Sequence, residues 1–375
     1  MFGVENMGCS SEKDDPVITV LRGEDGLGQL KEAWQKIHSG LSCPGYHRDW
    51  RWMASLQRHL MDEPLVFVVL RRHGRVAIIL PLQLRSGGAA GFKHRFISFP
   101  YHNHIVLSDA LIDPSVAEER DLARLFAFLE TQKEFKWNHM RLNGMVEGSL
   151  LHGALVASGY EPEQTSFNAY FDWPTGKYDA TLSKKHIRNT RRLTQKAESE
   201  LGPVQVRFVS GPAELPDALE TFFELEASGW KGEKGTSTAI KNDERLIVFY
   251  RDLLTRFSED KSFQINLLEI NGVPAAGQMC IRCGSVWYIL KVGYNDRLKQ
   301  YGAGNALMLA CLERLSQDAE ISELNLVTSP AWADRWHLNK RPVYSLQHFN
   351  RGIGGRMLKA LRDSKRKLKL LTARQ

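Results

Sequence analysis

Apolar residues recur along this chain with two spacings. Strand-like runs cover Val17–Leu21, Leu65–Leu70, Val76–Leu82, Phe96–Phe99, His104–Leu107, Met140–Leu142 and Ser166–Trp173. A second set follows: Val204–Val209, Gln264–Ile270, Val273–Ile281, Val286–Gly293, Leu324–Val327 and Val343–Phe349. Helical spacing marks Leu27–His38, His47–Leu60, Glu118–Gln132, Ser149–Ser158, Leu215–Ser228 and Asn242–Phe257. It also marks a helix opening at Gly304 with Met308, Cys311, Leu312 and Leu315 on one face, and Met357–Leu371 near the end. His73-Gly74 and Asn271-Gly272 each sit between two strand runs and predict hairpins. Ser329–Asn339 predicts a short helix with Ser329 as N-cap and Pro330 in its first position.

The two sets share one coarse plan without obvious sequence repetition. The predicted fold class is mixed α/β, built of two similar domains. Residues 1–16 are polar and predict a flexible N-terminus. Residues 17–177 form the first domain, 178–202 a charged connecting helix, 203–350 the second domain and 351–375 a basic amphipathic helix. The connecting helix is basic first and acidic last. That order opposes its dipole, so its basic end calls for a compensating partner.

Composition narrows the class. The chain has 375 residues and a net charge of +7, with apolar and charged fractions typical of globular proteins. No apolar run reaches the roughly 18 residues of a membrane span. The N-terminal stretch lacks the basic start and apolar centre of a signal peptide, which predicts a cytoplasmic location. Five scattered cysteines argue against a disulfide framework. Cys280 and Cys283 resemble a redox pair in spacing, yet on a strand they point to opposite faces. His102 and His104 share a strand face, but a third ligand is lacking nearby, so no metal is expected.

The chemistry concentrates in Val286–Glu313. A two-faced strand runs into Lys299-Gln300-Tyr301-Gly302-Ala303-Gly304, and a helix opens at once. The first N–H groups of a helix lack internal partners and carry partial positive charge. Glycines there remove the Cβ atoms that would hold a phosphate off those amides, and Lys299 adds a full charge. Glu226 places a carboxylate on the apolar stripe of its helix.

Strand order and the Lys299-x-x-Gly302-x-Gly304 loop resemble the GNAT acyltransferase fold, with Lys in place of the usual Arg or Gln. Two such halves in tandem resemble the group containing CelD-like (cellulose-biosynthesis-associated) acetyltransferases and FemAB-type aminoacyl ligases. HRDWRWMASLQRHL near the start, LEASGWKG at Leu225–Gly232, YGAGNALM at Tyr301–Met308 and ADRWHLN at Ala333–Asn339 fall at matching places. The resemblance implies two tandem GNAT-like domains, each a mostly antiparallel twisted sheet flanked by helices. The second would bind the donor. The first, without a glycine loop, would shape the acceptor cleft between the halves.

The implied activity is transfer of an acetyl or longer acyl group from coenzyme A to an amine, less often a hydroxyl. Acetyl-CoA or acyl-CoA is the expected co-substrate. Its pyrophosphate would lie on Lys299, Gly302, Ala303, Gly304 and Asn305, and its pantetheine arm along Trp287–Gly293, with Lys291 and Gly293 at the strand's end. Glu226, Asp334 and His337 are the base candidates. Many GNAT enzymes carry a Tyr on the short helix to protonate the leaving thiolate. Trp332, Trp336 and His337 stand there instead, which moves that step to His337 or Tyr344. Trp230, Trp332 and Trp336 could wall a substrate cleft.

Three readings therefore remain open at the level of sequence. One is an N-acyltransferase acting on a small-molecule, lipid or sugar acceptor, as in envelope, lipid or polysaccharide biosynthesis, with an acyl carrier protein as a further donor option. The second is a FemAB-type transferase that uses aminoacyl-tRNA, motivated by the basic helix Lys184–Lys196. The third is a degenerate, non-catalytic protein held peripherally at the inner membrane face. There, Met357, Leu361, Leu368 and Leu371 form an apolar line among basic residues.

Overall fold

The computed structural model describes residues 16–89, 92–132, 134–173, 182–229 and 237–372. The first half comprises β1 (Val17–Arg22), α1 (Gly23–Gly40), α2 (Trp50–His59), β2 (Val66–Arg72), β3 (Arg75–Ala89), β4 (Phe92–Ser98), β5 (Leu111–Ile112), α3 (Asp121–Thr131), β6 (His139–Val146), α4 (Leu150–Ala157) and β7 (Glu163–Asp172). The connecting helix α5 (Lys184–Leu201) follows. The second half comprises β8 (Val204–Val209), α6 (Leu215–Ser228), α7 (Glu244–Ser258), β9 (Phe263–Ile270), β10 (Val273–Cys283), β11 (Val286–Tyr294), α8 (Ala303–Leu315), β12 (Glu323–Asn325), β13 (Asn339–Phe349) and α9 (Ile353–Thr372).

Local chemistry sets most boundaries. The Asp49 carboxylate accepts from Arg51 N–H at 2.8 Å, so α2 starts there, and Tyr46–Arg48 forms a separate 3-10 turn instead of the helix start expected at His47. Ser183 caps α5 and Asp243 caps α7 in the same way. Both predicted hairpins form, with His73-Gly74 and Asn271-Gly272 at positive φ. Two expectations fail. Residues 104–107 are not a strand, and the helix expected over Ser329–Asn339 shortens to a 3-10 turn at Ala331–Trp336. There Pro330 is the cap residue, in an extended conformation, and Ser329 makes no cap hydrogen bond.

The strands join into one sheet in the order β1-β2-β3-β4-β6-β13-β7-β12-β11-β10-β9-β8, with β5 on the edge of β3. The order is symmetric about the β13–β7 seam. Outward on each side comes an antiparallel pair (β13 with β6, β7 with β12), then a parallel pair (β6 with β4, β12 with β11), then antiparallel strands to the edge. Each half thus places its last strand beside the other half's strands. The mixed, mostly antiparallel, two-part architecture is the one expected from sequence, but the sheet itself is shared.

Helices cover both faces. On one, α1 and α2 of the first half and α6 and α7 of the second form a continuous apolar layer over β2, β9, β10 and part of β11. Trp52 meets Phe249 edge-on at 5.4 Å, and Ser55 donates to Asp252 at 2.7 Å, which ties α2 to α7. On the other face, α3 and α4 cover the first half, while α8 covers the second with α5 beside it. Cys280 and Cys283 lie in the cores of opposite faces, as strand geometry demands. Ile353, Met357 and Leu361 of α9 expose their apolar side chains. Among the described residues, no helix is long and apolar enough to cross a membrane.

Candidate active site

The site starts from a gap in the second half of the sheet. β11 and β12 pair over only three residues each, Val286–Tyr288 with Glu323–Asn325. Beyond them the chain follows β7 instead: Leu326 N–H donates to Ala169 O at 2.9 Å, and Ala169 N–H to Thr328 O at 3.0 Å. The bend is fixed by Val327 at φ 63°, a strained conformation for a β-branched residue. Its N–H is held by the Asn325 side chain at 2.8 Å. Asn325 in turn exchanges two amide hydrogen bonds with the buried Asn168, at 2.7 and 2.9 Å. Among the described residues, the β12-facing edge of β11 from Ile289 onward therefore has no strand partner.

On its other side, in the ladder with β10, β11 carries a bulge. Ile289 pairs with Cys280 and Lys291 with Met279, so Leu290 is extra. Strict alternation would put Val292 on the face of Val286 and Tyr288. After the bulge it instead joins Trp287 and Ile289 against the α8 side. A bulge turns backbone groups out of the ladder, where they can meet a ligand.

Below the gap, Gly302 (φ 65°) ends a 3-10 turn over Asp296–Tyr301 and opens α8. Leu193 of α5 stands against it, 3.1 Å from where a Cβ would lie, so the basic helix runs beside the loop. A Cβ on Gly304 would meet nothing within 4 Å. It would project into the open space before the first amides of α8, where an anion would sit.

These elements enclose a cavity of about 400 Å3. Its lining brings together Glu226, Gly293, Lys299, Gly302, Ala303, Gly304, Asn305 and Trp332. Arg335, from the short 3-10 turn, adds a second cation to the lining, besides Lys299. Glu226 is buried, and one oxygen accepts from Ile240 N–H at 2.8 Å. Gly293 lets α6 approach β11: a Cβ there would fall 2.8 Å from Glu226 N.

A second cavity of about 300 Å3 meets the first at Val292 and Trp332. It runs over the bulge and reaches into the first half. Its walls are Tyr46, Trp52, His104 and Val106 from the first half, and Tyr250, Ile289–Val292, Leu326–Thr328, Pro330 and Trp332 from the second. Lys291 belongs to this cavity and not to the first. His104 Nδ1 lies 2.9 Å from the Tyr250 hydroxyl. Burial pushes the Tyr250 and Tyr46 hydroxyls above their ordinary range, and the charge of Glu226 adds to the shift at Tyr250.

The remaining candidates lie elsewhere. Asp334 is exposed and paired with Lys340 at 2.7 Å. His337 is exposed at the end of the 3-10 turn, in the left-handed region at φ 56°. Trp336 is buried in the core against the His186 ring, with centroids 4.6 Å apart. Tyr344 packs on the His152 ring and donates to Glu147 at 3.2 Å, on the first-half side of the sheet. None of these four lines either cavity. Trp230 lies outside the described residues.

Sequence reasoning missed Arg335, Tyr46, Trp52, His104 and Tyr250. Only His104 carried a signal, and it was weighed for a metal. His102 and His104 do come together, with ring centroids at 5.6 Å, but Nδ1 of His104 is engaged by the Tyr250 hydroxyl.

A splayed parallel pair, a bulge where β11 pairs with β10 and a glycine-led helix below it match what residues 184–336 show by comparison: they fit the family model described as acetyltransferase (GNAT) domain. The second half carries a GNAT domain. A search of curated proteins found no match for the sequence. Among solved structures, FemX is 12% identical with a TM-score of 0.59, covering 88% of this chain and 98% of its own. L-PGS from Bacillus licheniformis is 13% identical with a TM-score of 0.51, covering 89% and 96%. At these identities the likeness is one of fold, and it extends over both halves.

Proposed function

We propose that the protein is an N-acyltransferase that takes its acyl group from a coenzyme A thioester. The observation that carries this is the open β12-facing edge of β11, a strand bulged at Leu290 in its ladder with β10 and leading into the Gly302–Asn305 loop. The Ala303 and Gly304 amides, Lys299 and Arg335 would hold the pyrophosphate. The free edge of β11 would pair with the amide-bearing pantetheine arm as an added strand would. A backbone N–H near the bulge would polarise the thioester carbonyl. The basic face of α5 beside the loop suits a further phosphate of the donor, and a donor bound there would offset the charge order that opposes the helix dipole. The second cavity, which shares Val292 and Trp332 with the first, would take the acceptor amine.

The basic α5 also keeps an aminoacyl-tRNA donor in view. Titration calorimetry separates the two. Acetyl-CoA or a longer acyl-CoA is expected to bind with micromolar affinity. Lys299→Ala and Arg335→Ala should each weaken it about three- to tenfold, less so at high salt. No binding at millimolar acyl-CoA, with tight and steeply salt-dependent binding of charged tRNA, would overturn the coenzyme A reading.

A further inference from the structure

We infer that His104, supplied by the first half, is the general base that deprotonates the acceptor amine; this rests on the acyltransferase reading above. The cavity over the bulge is where an acceptor must stand to reach a thioester on β11. Its titratable lining consists of His104, Lys291, Tyr46 and Tyr250. The two phenols have their hydroxyls pushed up by burial and stay protonated near neutral pH. An ammonium has no lone pair to offer. An imidazole, which titrates between pH 5 and 8, is the one group of the four suited to accept a proton there.

The base candidates read from sequence are poorly placed for this. Glu226 lines the donor cavity instead, with an oxygen bound to the Ile240 amide. Asp334 and His337 line neither cavity.

The surroundings of His104 suit the task. Tyr250 of α7 holds Nδ1 at 2.9 Å and fixes the ring plane. Lys291 of β11 lines the same cavity. On its own segment, His104 N–H donates to His102 Nδ1 at 3.2 Å, which sets the backbone. Behind Tyr250 stand Glu226 and Tyr46.

The step balances. His104 takes one proton from the acceptor ammonium. The freed lone pair attacks the thioester carbonyl carbon, the C–N bond forms and the C–S bond breaks. Sulfur leaves as thiolate and receives the second amine proton. His104 then releases the first proton to water, so one acyl-CoA and one ammonium give one amide, one thiol and one proton.

Ethanolamine and acetyl-CoA serve as probes, with free thiol followed from pH 5.5 to 9. For the wild-type chain the rate constant kcat/KM should rise through the imidazole range and then level off. In His104→Asn, which can still hydrogen-bond Tyr250, and in His104→Gln, kcat should fall about a hundredfold or more. Their profile should keep rising toward the pKa of the amine itself, because only free amine then attacks. Calorimetric affinity for acetyl-CoA should stay within twofold. A plateau retained in both variants, or bound acetyl-CoA with no enzyme-dependent thiol release in the wild type, would overturn the assignment of His104. Failure of the wild type to bind acetyl-CoA would instead overturn the donor reading beneath it.

Discussion

Both halves of the molecule contain the same structural opportunity, and only one keeps it. In each, a parallel pair holds for three residues: β11 with β12, and β4 with β6. Beyond β12 the space stays open, floored by the glycine loop. Beside β6 the chain fills it. Ser108 N–H donates to Gly144 O at 3.1 Å, and Gly144, at φ 86°, is pressed so close that a Cβ would fall 2.6 Å from Val106 O. The filled gap is structural, and the open gap is the one proposed to bind the donor. The difference lies in one segment, residues 105–109, and the same stretch of chain carries His104 to the second cavity. Plugging one gap and furnishing the other are two results of a single path.

This contrast can be tested with one type of substitution in both places. The largest effect is expected for Gly144→Ala. A side chain at positive φ, against a backbone oxygen, should cost about 3 kcal/mol of stability in chemical denaturation. Acetyl-CoA affinity of the molecules that remain folded should be unchanged. Gly304→Ala should do the reverse. Stability should stay within about 1 kcal/mol of wild type, since alanine suits a helix and meets no neighbour. Donor affinity should fall about tenfold as the methyl group occupies the phosphate position. Equal effects of the two substitutions on donor affinity would erase the distinction between the gaps. The smallest effect is expected for Asp334→Asn and His337→Asn: less than about 0.5 kcal/mol in stability and less than twofold in donor affinity. A tenfold loss in either would return that residue to the chemistry.

What could be read in the sequence was what is local. Alternation found the strands, helical spacing found the helices, and Asn271-Gly272 found its hairpin because two φ-positive residues are chemically marked. The glycine loop was legible for the same reason: Gly302 and Gly304 lie at the start of the helix they open. The gap above it was not. It depends on Leu326 and Thr328 binding Ala169, a partner far away in the chain. Nor was the bulge at Leu290, since Val286–Val292 alternates well in the sequence and the register slip belongs to the pairing with β10. His104 looked like part of a strand because Ile105 and Val106 are β-branched. The contact with Gly144 decides its path instead, and nothing in 104–107 encodes that. Asp334 and His337 were misplaced because Ser329–Asn339 has the spacing of an α-helix but forms a 3-10 turn, which changes where each side chain points.

The exchange of last strands between halves carries a consequence for how the chain is made. Thr165, at the head of β7, donates to Val343 O of β13 at 3.2 Å across 178 residues of sequence. During synthesis β7 and β6 emerge long before β12 and β13, their sheet neighbours. At ordinary translation rates that wait lasts on the order of ten seconds or more. The first half is therefore held on the ribosome with two unsatisfied strand edges, the kind of surface that recruits chaperones or pairs wrongly. Sheet closure comes as a late, long-range and slow event, and it completes the backbone frame that bends β12 away from β11. The gap beside β11 is thus among the last features of the molecule to take shape.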